Sequence, residues 1–163
     1  MINDFFIGID PGKNGGIAGL TNGKITTLDK MPQTPTDMWG YFIDLGFPNL
    51  LEREKTHVYI ESVHSMPTDG VKSAFSFGKH LGWFDMLFAK FNISPTLILP
   101  RVWQQHYDLK RSREQSKYNY KKELVEKAKS LVPKYQTKEI TLKTADAYLI
   151  AKYGWETYNK EIK

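Results

Sequence analysis

A single α/β domain with a mixed β-sheet is the fold class that the sequence predicts. Its first thirty residues contain three short strand patterns, and the pair Asn22-Gly23 between the second and third is a strong β-hairpin signal. Two further strand patterns, at 57–62 and 96–99, lie on either side of a helical pattern at 71–91. Strands that come first, with helices interleaved later in one unit, are typical of an α/β fold.

The three opening strands follow one another closely. FFIGID at 5–10 is an apolar run that ends in an acid, and PGKNGG then forms a turn before IAGLT. KITTLDK continues after the Asn-Gly pair, so we expect three antiparallel strands. HVYIES at 57–62 has the pattern of a buried strand that ends near a second acid, Glu61, and TLIL at 96–99 is the last strand pattern.

Four segments have apolar residues at the spacing of a helix face, namely 33–47, 71–91, 118–132 and 142–153. Thr36 is the candidate N-cap of the first, which is expected to end around 46–48. Pro133 halts the third, because proline cannot continue a helix. The fourth carries Asp146 in its first turns.

Composition excludes several classes of protein. At 163 residues the chain fits one domain, 1–163, with a sizeable core. It has no cysteine, so disulfides, thiolate metal sites and cysteine nucleophiles are excluded. No apolar run approaches the roughly 20 residues that span a bilayer, and the N-terminus lacks the pattern of a signal peptide. We therefore expect a cytoplasmic protein with no membrane partner.

Positive charge is concentrated in one stretch of the chain. There are 23 Lys and Arg against 18 Asp and Glu, a net charge of +5. The segment 101–138 alone holds eleven basic and four acidic residues. Such a density suits a phosphate backbone, because neutralised phosphates release counterions. A solvated, lysine-rich helix face is the alternative.

Three acids occupy positions from which they can converge. Asp10 ends the first strand, Glu61 ends the fourth, and Asp146 lies on the C-terminal helix. If the first and fourth strands are neighbours, Asp10 and Glu61 lie side by side, and a helix packed across that end of the sheet adds Asp146. Each acid taken alone is more often a solvated strand end or a cap.

Carboxylates at close range raise one another's pKa, so a cluster of three calls for divalent cations. Oxygen ligands favour Mg²⁺, with Mn²⁺ as the alternative. Two ions about 3.5–4 Å apart would activate a water molecule and stabilise the leaving oxygen of a phosphodiester. The three acids therefore predict a nuclease with two ions per active site.

The glycines after Asp10, in FIGIDPGKNGGIA, leave backbone room beside that carboxylate. They also fit a loop that cradles the phosphates of a nucleotide. Proteins that use such a loop on a related core topology have two lobes, and 163 residues provide room for one. We therefore expect no nucleotide cofactor.

Five segments cover nearly the whole chain in a fixed order: FIGIDPGKNGGIA, YIESVHSMP, SAFSFGKHLG, PRVWQQHY and TADAYLIAKYG. Together they resemble the successive motifs of RuvC-type Holliday junction resolvases, particularly short phage-like members. The resemblance implies a ribonuclease H-like fold with a five-stranded mixed sheet flanked by helices, a homodimer, and paired Mg²⁺-dependent nicks across a four-way DNA junction. It also implies that Asp10, Glu61 and Asp146 are the metal-binding acids.

Two positions depart from the motifs of that family. The family usually has a fourth metal ligand one turn before the final acid, and this chain has Lys143 there, on the same helix face as Asp146. A protonated lysine cannot ligate, so Lys143 replaces the charge of an ion, orients the water, weakens the site or is a surface residue. The family also tends to place a lysine after the tryptophan of P-x-x-W, where this chain has Gln104. Lys117 or Lys121 is the candidate for the family's other catalytic lysine.

Residues of two regions are candidates for DNA contact. In the loop after Glu61, His64 takes the position at which the family inserts a side chain into the junction centre, and Met66 lies beside it. Basic residues between 101 and 122 would contact phosphates and position the DNA: Arg101, Lys110, Arg111, Arg113, Lys117, Lys121 and Lys122.

The helical pattern at 71–91 is the candidate interface of a homodimer. Gly78 and Gly82, four residues apart on one face, would allow the close approach of a second helix. A two-fold dimer has two active sites that face symmetry-related strands, so the shape of a junction would select the substrate. A core helix within one chain is the alternative.

A structure-selective DNA endonuclease is the leading hypothesis from the sequence. A catalytically impaired junction-binding protein is the second, because Lys143 stands where an acid is expected. Another ribonuclease H-like nuclease, acting on RNA–DNA hybrids, is the third. The short length and the phage-like motifs favour a phage protein that acts in the bacterial cytoplasm.

Overall fold

Five strands form one mixed sheet. The computed structural model describes residues 4–47, 55–62 and 70–161. The strands are β1 Phe5–Asp10, β2 Gly16–Thr21, β3 Lys24–Lys30, β4 Thr56–Glu61 and β5 Thr96–Ile98. Their order across the sheet is β3-β2-β1-β4-β5. The first three strands pair antiparallel, whereas β4 pairs parallel with both β1 and β5, so the predicted mixed sheet is confirmed.

Helices follow the first three strands and alternate with the last two. They are α1 Pro35–Asp44, α2 Val71–Lys90, α3 Pro100–His106, α4 Lys117–Ser130 and α5 Ala145–Glu161, with a 3-10 helix at Lys134–Glu139. The sequence predicted all of these α-helices except α3, which has seven residues and is too short for a helical period to be read. Within the described ranges, no helix has the length and apolar character needed to cross a bilayer.

The N-cap of α1 is Thr34, not Thr36 as predicted. Thr34 has an extended backbone, and its Oγ1 accepts a hydrogen bond from the backbone N of Asp37 at 3.1 Å. Pro35 takes the first helical position, where its missing N–H has no partner to lose and its fixed φ suits a helix. The helix therefore begins earlier than predicted, and it also ends earlier, at Asp44.

The last helix begins at Ala145, three residues later than predicted, and continues to Glu161. A turn precedes it, in which Thr144 Oγ1 accepts a hydrogen bond from Thr141 N at 2.9 Å and donates one to Glu139 O at 3.0 Å. Lys143 lies in this turn. The prediction that Lys143 lies on the same helix face as Asp146 is therefore wrong.

Side chains of the central strands alternate between two cores. One core contains Phe5, Ile7, Ile9, Val58 and Ile60, packed against α1 and α2. The other contains Phe6 and lies under α3, α4 and α5. Because side chains on a strand alternate between its faces, Gly8 and Asp10 lie on the same face as Phe6, and Glu61 lies on the matching face of β4. Both strand-terminal acids therefore face α5.

The parallel pairing of β1 with β4 brings the two strand-terminal acids side by side. The pairing runs from Phe5 and Thr56 to Ile9 and Ile60. Asp10 and Glu61 each follow the last paired residue by one position. The condition on which the convergence of the acids depends, that the first and fourth strands are neighbours, is therefore met.

The α5 helix packs closely against the sheet at two glycines. A Cβ atom at Gly8 would lie 2.3 Å from both Ala147 O and Ala151 N. A Cβ atom at Gly154 would lie 2.3 Å from the ring of Tyr59 on β4. The helix can therefore lie this close to β1 only because position 8 has no side chain, and this contact sets the height of Asp146 above the sheet.

Replacing Gly8 tests this contact. Gly8→Ala is expected to lower the free energy of unfolding by at least about 2 kcal/mol, because backbone atoms of α5 have to move to make room. Gly40→Ala is the matched control, since a Cβ atom there would meet no described atom within 4 Å outside its own helix backbone. Alanine suits a helix interior better than glycine by up to about 1 kcal/mol, so Gly40→Ala should be neutral or stabilising.

Urea unfolding of both variants measures the two effects on one scale. A Gly8→Ala protein as stable as the wild type would contradict the backbone contact between β1 and α5.

Candidate active site

Three carboxylates from three elements meet at one end of the sheet. Asp10 ends β1, Glu61 ends β4, and Asp146 lies in the first turn of α5. The charge of Asp10 interacts with those of Asp146 and Glu61, and the charge of Glu61 with that of Asp146. Asp146 is 5% exposed and Glu61 is 7% exposed. The structure therefore brings the three acids together in a largely buried cluster.

Burial and mutual repulsion raise the pKa of the three carboxyl groups. Burial is the larger cause at Asp10, followed by the charges of Asp146 and Glu61, and it holds the pKa well above the usual 3.8. Burial and the charge of Asp146 raise the pKa of Glu61 from 4.5 to about 7. Burial also raises the pKa of Asp146, against the opposing effect of Lys121. Nearby positive charge therefore stabilises the ionised cluster.

Lys121 on α4 provides positive charge at the cluster. Its Nζ donates a hydrogen bond to Asp146 Oδ2 and lies 3.8 Å from Asp10 Oδ2. Burial lowers the pKa of Lys121, but the carboxylates of Asp146 and Asp10 outweigh burial, so the pKa lies above the usual 10.5. Of the two candidate lysines, Lys121 contacts the acids, whereas Lys117 borders the cleft beside them.

Trp103 orients Glu61. It lies on α3, is fully buried, and donates a hydrogen bond from Nε1 to Glu61 Oε1 at 3.1 Å. This hydrogen bond lowers the pKa of Glu61 and so opposes the effect of burial. The sequence motif P-x-x-W contains Trp103 but does not reveal this contact, because the two residues are 42 positions apart.

An open cleft of about 800 Å³ borders Asp10. Its walls come from the loop between β1 and β2, the start of α2, the start of α4 and the turn before α5. Five lysines of the described residues line it: Lys13, Lys72, Lys117, Lys121 and Lys143. Lys13 and Lys72 were missed in the sequence because they lie outside the basic segment 101–138.

The other predicted site residues lie away from the carboxylates. Lys143 borders the cleft but forms no ion pair with the three acids among the described contacts. Five predicted DNA-contact residues are exposed and do not border the cleft: Arg101, Lys110, Arg111, Arg113 and Lys122. Gln104 is half-buried on α3. His64 and Met66 lie outside the described residues.

Gly15 in the glycine-rich loop lies directly against Asp10. A Cβ atom there would lie 1.8 Å from the backbone O of Asp10 and 3.1 Å from its Cγ. Asp10 itself therefore occupies the space that a side chain at position 15 would need.

The raised pKa values predict a pH dependence of stability. Between about pH 4.5 and 7, Glu61 holds its proton in the folded chain and has lost it in the unfolded chain. Because the folded state then binds more protons, stability falls as pH rises through this window. Glu61→Gln removes this titration and keeps an oxygen that accepts from Trp103.

In EDTA, Glu61→Gln is expected to be more stable than the wild type at pH 7.5 by about 1–3 kcal/mol, with a flatter decline from pH 5 upwards. Thermal unfolding at a series of pH values measures this. Glu126→Gln is the control, because Glu126 is an exposed residue of α4 that pairs only with Lys129 among the described residues. If stability falls with pH equally steeply in Glu61→Gln and in the wild type, the raised pKa assigned to Glu61 would be contradicted.

No protein-family model and no curated relative matches the chain. Two solved structures of RuvC are similar to it, each with 16% sequence identity over 96% of both chains. One is T. thermophilus RuvC in complex with a Holliday junction substrate, with a TM-score of 0.62. The other is Thermus thermophilus RuvC, with a TM-score of 0.59. The chain therefore has the ribonuclease H-like fold of RuvC, as the sequence predicted.

Proposed function

We propose that this chain is a structure-selective DNA endonuclease that hydrolyses phosphodiester bonds in branched DNA, such as a four-way junction. The observation that carries the proposal is the buried cluster of Asp10, Glu61 and Asp146 beside an open cleft lined by lysines. Acids at this density suit a divalent cation, and lysines suit the phosphates of a DNA strand. The similarity to a RuvC structure solved with a Holliday junction substrate supports a branched substrate.

The donor set of the site fits a divalent cation. Asp146 Oδ1 is buried and has no hydrogen-bond partner among the described residues. Carboxylate oxygens are the ligands preferred by Mg²⁺ and Mn²⁺. Asp10, Glu61 and Asp146 would hold the ion. When bound, the ion would lower the pKa of a water molecule and polarise the phosphate.

The residues of the chain have separate roles in the proposed reaction. The acids fix the position of the cation, and Trp103 holds Glu61 in one orientation through its 3.1 Å hydrogen bond. Lysines of the cleft neutralise the phosphate that enters beside Asp10. A water molecule gives up a proton and attacks phosphorus, the bond from phosphorus to one ester oxygen breaks, and that oxygen takes up a proton. One strand is nicked without a covalent intermediate.

The DNA-contacting surface extends over two regions in this proposal. Lys13 and Lys72 join Lys117 and Lys121 at the cleft, next to the acids. The exposed basic residues from 101 to 122 would contact phosphates further along the duplex. Tyr118 also borders the cleft, 57% exposed, with Lys122 Nζ 4.5 Å from the centre of its ring, and offers a face on which a base can stack.

A homodimer through α2 is part of the proposal. The buried side chains of α2 include Phe84 and Phe88, whereas Val71, Phe75 and Met86 are 86%, 73% and 77% exposed. Among the described residues, Val71 and Phe75 in the N-terminal part of α2, and Met86 further along it, therefore do not pack into the core. No atom of the described residues lies within 4 Å of a Cβ atom built at Gly78 or Gly82 of α2, which leaves room for a second helix.

In the proposed dimer the same helix would form the interface and part of the active-site cleft, because α2 also carries Lys72 and Phe77 in the wall of the cleft. Two clefts related by a two-fold axis would each bind one of two DNA strands that are related by the same axis. The preference for a junction would then come from its shape. The phage origin and the bacterial cytoplasm expected from the sequence motifs remain predictions.

A catalytically impaired junction-binding protein is the second candidate. It is favoured by Lys143 at the cleft, where the family usually has an acid, and by the engagement of Asp146 with Lys121. Such a protein would bind the junction through the same lysines without cleaving it.

Purified protein should nick a labelled four-way junction in Mg²⁺ or Mn²⁺. It should not nick a matched linear duplex, and it should nick no substrate in EDTA. Asp10→Asn should lower the nicking rate by at least roughly 100-fold while junction binding persists, because it removes a metal-binding charge without changing shape. Asp108→Asn is the control: Asp108 is an exposed loop residue with φ of 57°, a conformation that Asn also tolerates.

Each alternative has its own outcome in this experiment. Tight junction binding without cleavage in either metal would support the impaired protein. Cleavage confined to an RNA–DNA hybrid would support a ribonuclease H activity. Nicking by Asp10→Asn at the wild-type rate would contradict the assignment of Asp10 to the active site.

A further inference from the structure

The ammonium group of Lys121 bridges two of the three carboxylates. It comes from α4 and contacts Asp146 of α5, and it lies 3.8 Å from Asp10 of β1. From this geometry we propose that the site binds one divalent cation per chain, with Lys121 providing the positive charge that a second ion supplies in a two-ion site. The inference rests on the proposed nuclease function and concerns the same site.

The carboxylate oxygens divide into two groups. Asp146 Oδ2 and Asp10 Oδ2 face the ammonium of Lys121, and Glu61 Oε1 accepts from Trp103. One oxygen of each acid is then left, and no described residue donates a hydrogen bond to Asp146 Oδ1. Mg²⁺ needs few protein oxygens because it keeps several of its water molecules. An ion held by the oxygens that Lys121 and Trp103 leave would not disturb these contacts, whereas a second ion would compete with Lys121 for Asp146 Oδ2 and Asp10 Oδ2.

The balance of charge gives the same number of ions. Three ionised carboxylates and one ammonium leave two net negative charges, which one divalent cation neutralises. A second ion would leave the site with two net positive charges, beside a cleft that is already lined by lysines.

Lys143 adds a positive charge where a second ion would have to enter. It borders the cleft from the turn before α5. With Lys13, Lys72 and Lys117 it adds positive charge to the same cleft. The lysines of the cleft therefore already provide positive charge that can neutralise the phosphate, and one divalent cation would be sufficient beside them.

The number of ions is measured directly, without DNA and without cleavage. Mn²⁺ is titrated into the full chain, and free Mn²⁺ is followed by electron paramagnetic resonance. The wild type should bind one Mn²⁺ per chain, and Asp10→Asn should lose this binding by at least tenfold in Kd.

A pair of double variants tests the role of Lys121. Lys121→Met with Lys143→Asp removes the ammonium and restores an acid, and should bind two Mn²⁺ per chain. Lys122→Met with Lys143→Asp is the matched control, because Lys122 is the exposed neighbour of Lys121 and its Nζ lies over the Tyr118 ring. It should still bind one. Far-ultraviolet circular dichroism checks that each variant is folded.

The outcomes separate the inference from the proposed function. Two ions in the wild type would overturn the single-ion inference and leave the nuclease proposal standing. One ion in the wild type and two in the Lys122 control would overturn the role of Lys121. If the wild type binds no Mn²⁺, or if Asp10→Asn leaves its Mn²⁺ binding unchanged, the metal site on which both proposals depend would be overturned.

Discussion

The backbone contact between β1 and α5 is the constraint on which the rest of the structure depends. Position 8 has no side chain, and a Cβ atom there would lie 2.3 Å from backbone atoms of Ala147 and Ala151. The helix therefore lies close over the strand, and Asp146, next to Ala147, is held above the end of the sheet. The pairing of β1 with β4 brings Asp10 and Glu61 side by side on the same face of the sheet, and the contact with α5 adds Asp146 to them.

This packing places negative charge where water cannot solvate it well. Burial raises the pKa of Asp10, Glu61 and Asp146, and their mutual repulsion adds to the effect at Asp10 and Glu61. Lys121 offsets part of the charge, and Trp103 holds one oxygen of Glu61. The cluster is thus a source of instability in the folded chain that a bound divalent cation would relieve. In this account the cost to stability and the capacity to bind an ion have the same physical origin.

Local patterns in the sequence were sufficient to predict the strands, the long helices and the acids at the ends of β1 and β4. The two-residue period of a strand and the Asn22-Gly23 hairpin act over short distances, and both survive in the fold. Contacts between distant segments were not predicted. The hydrogen bond from Trp103 to Glu61 and the approach of Lys72 to the cleft depend on tertiary packing. Lys143 was misplaced because hydrogen bonds of the preceding turn delay the start of α5.

The most direct test of the carboxylate cluster is the melting temperature of the wild-type chain in Mg²⁺, in Mn²⁺ and in EDTA. An ion that binds only the folded state stabilises it by about 2.7 kcal/mol at one hundred times its Kd, or roughly 5–10 °C for a chain of this length. The account predicts such a rise in the wild type and its loss in Asp146→Asn. A melting temperature that is the same in all three solutions would contradict the claim that the three acids form a cation site.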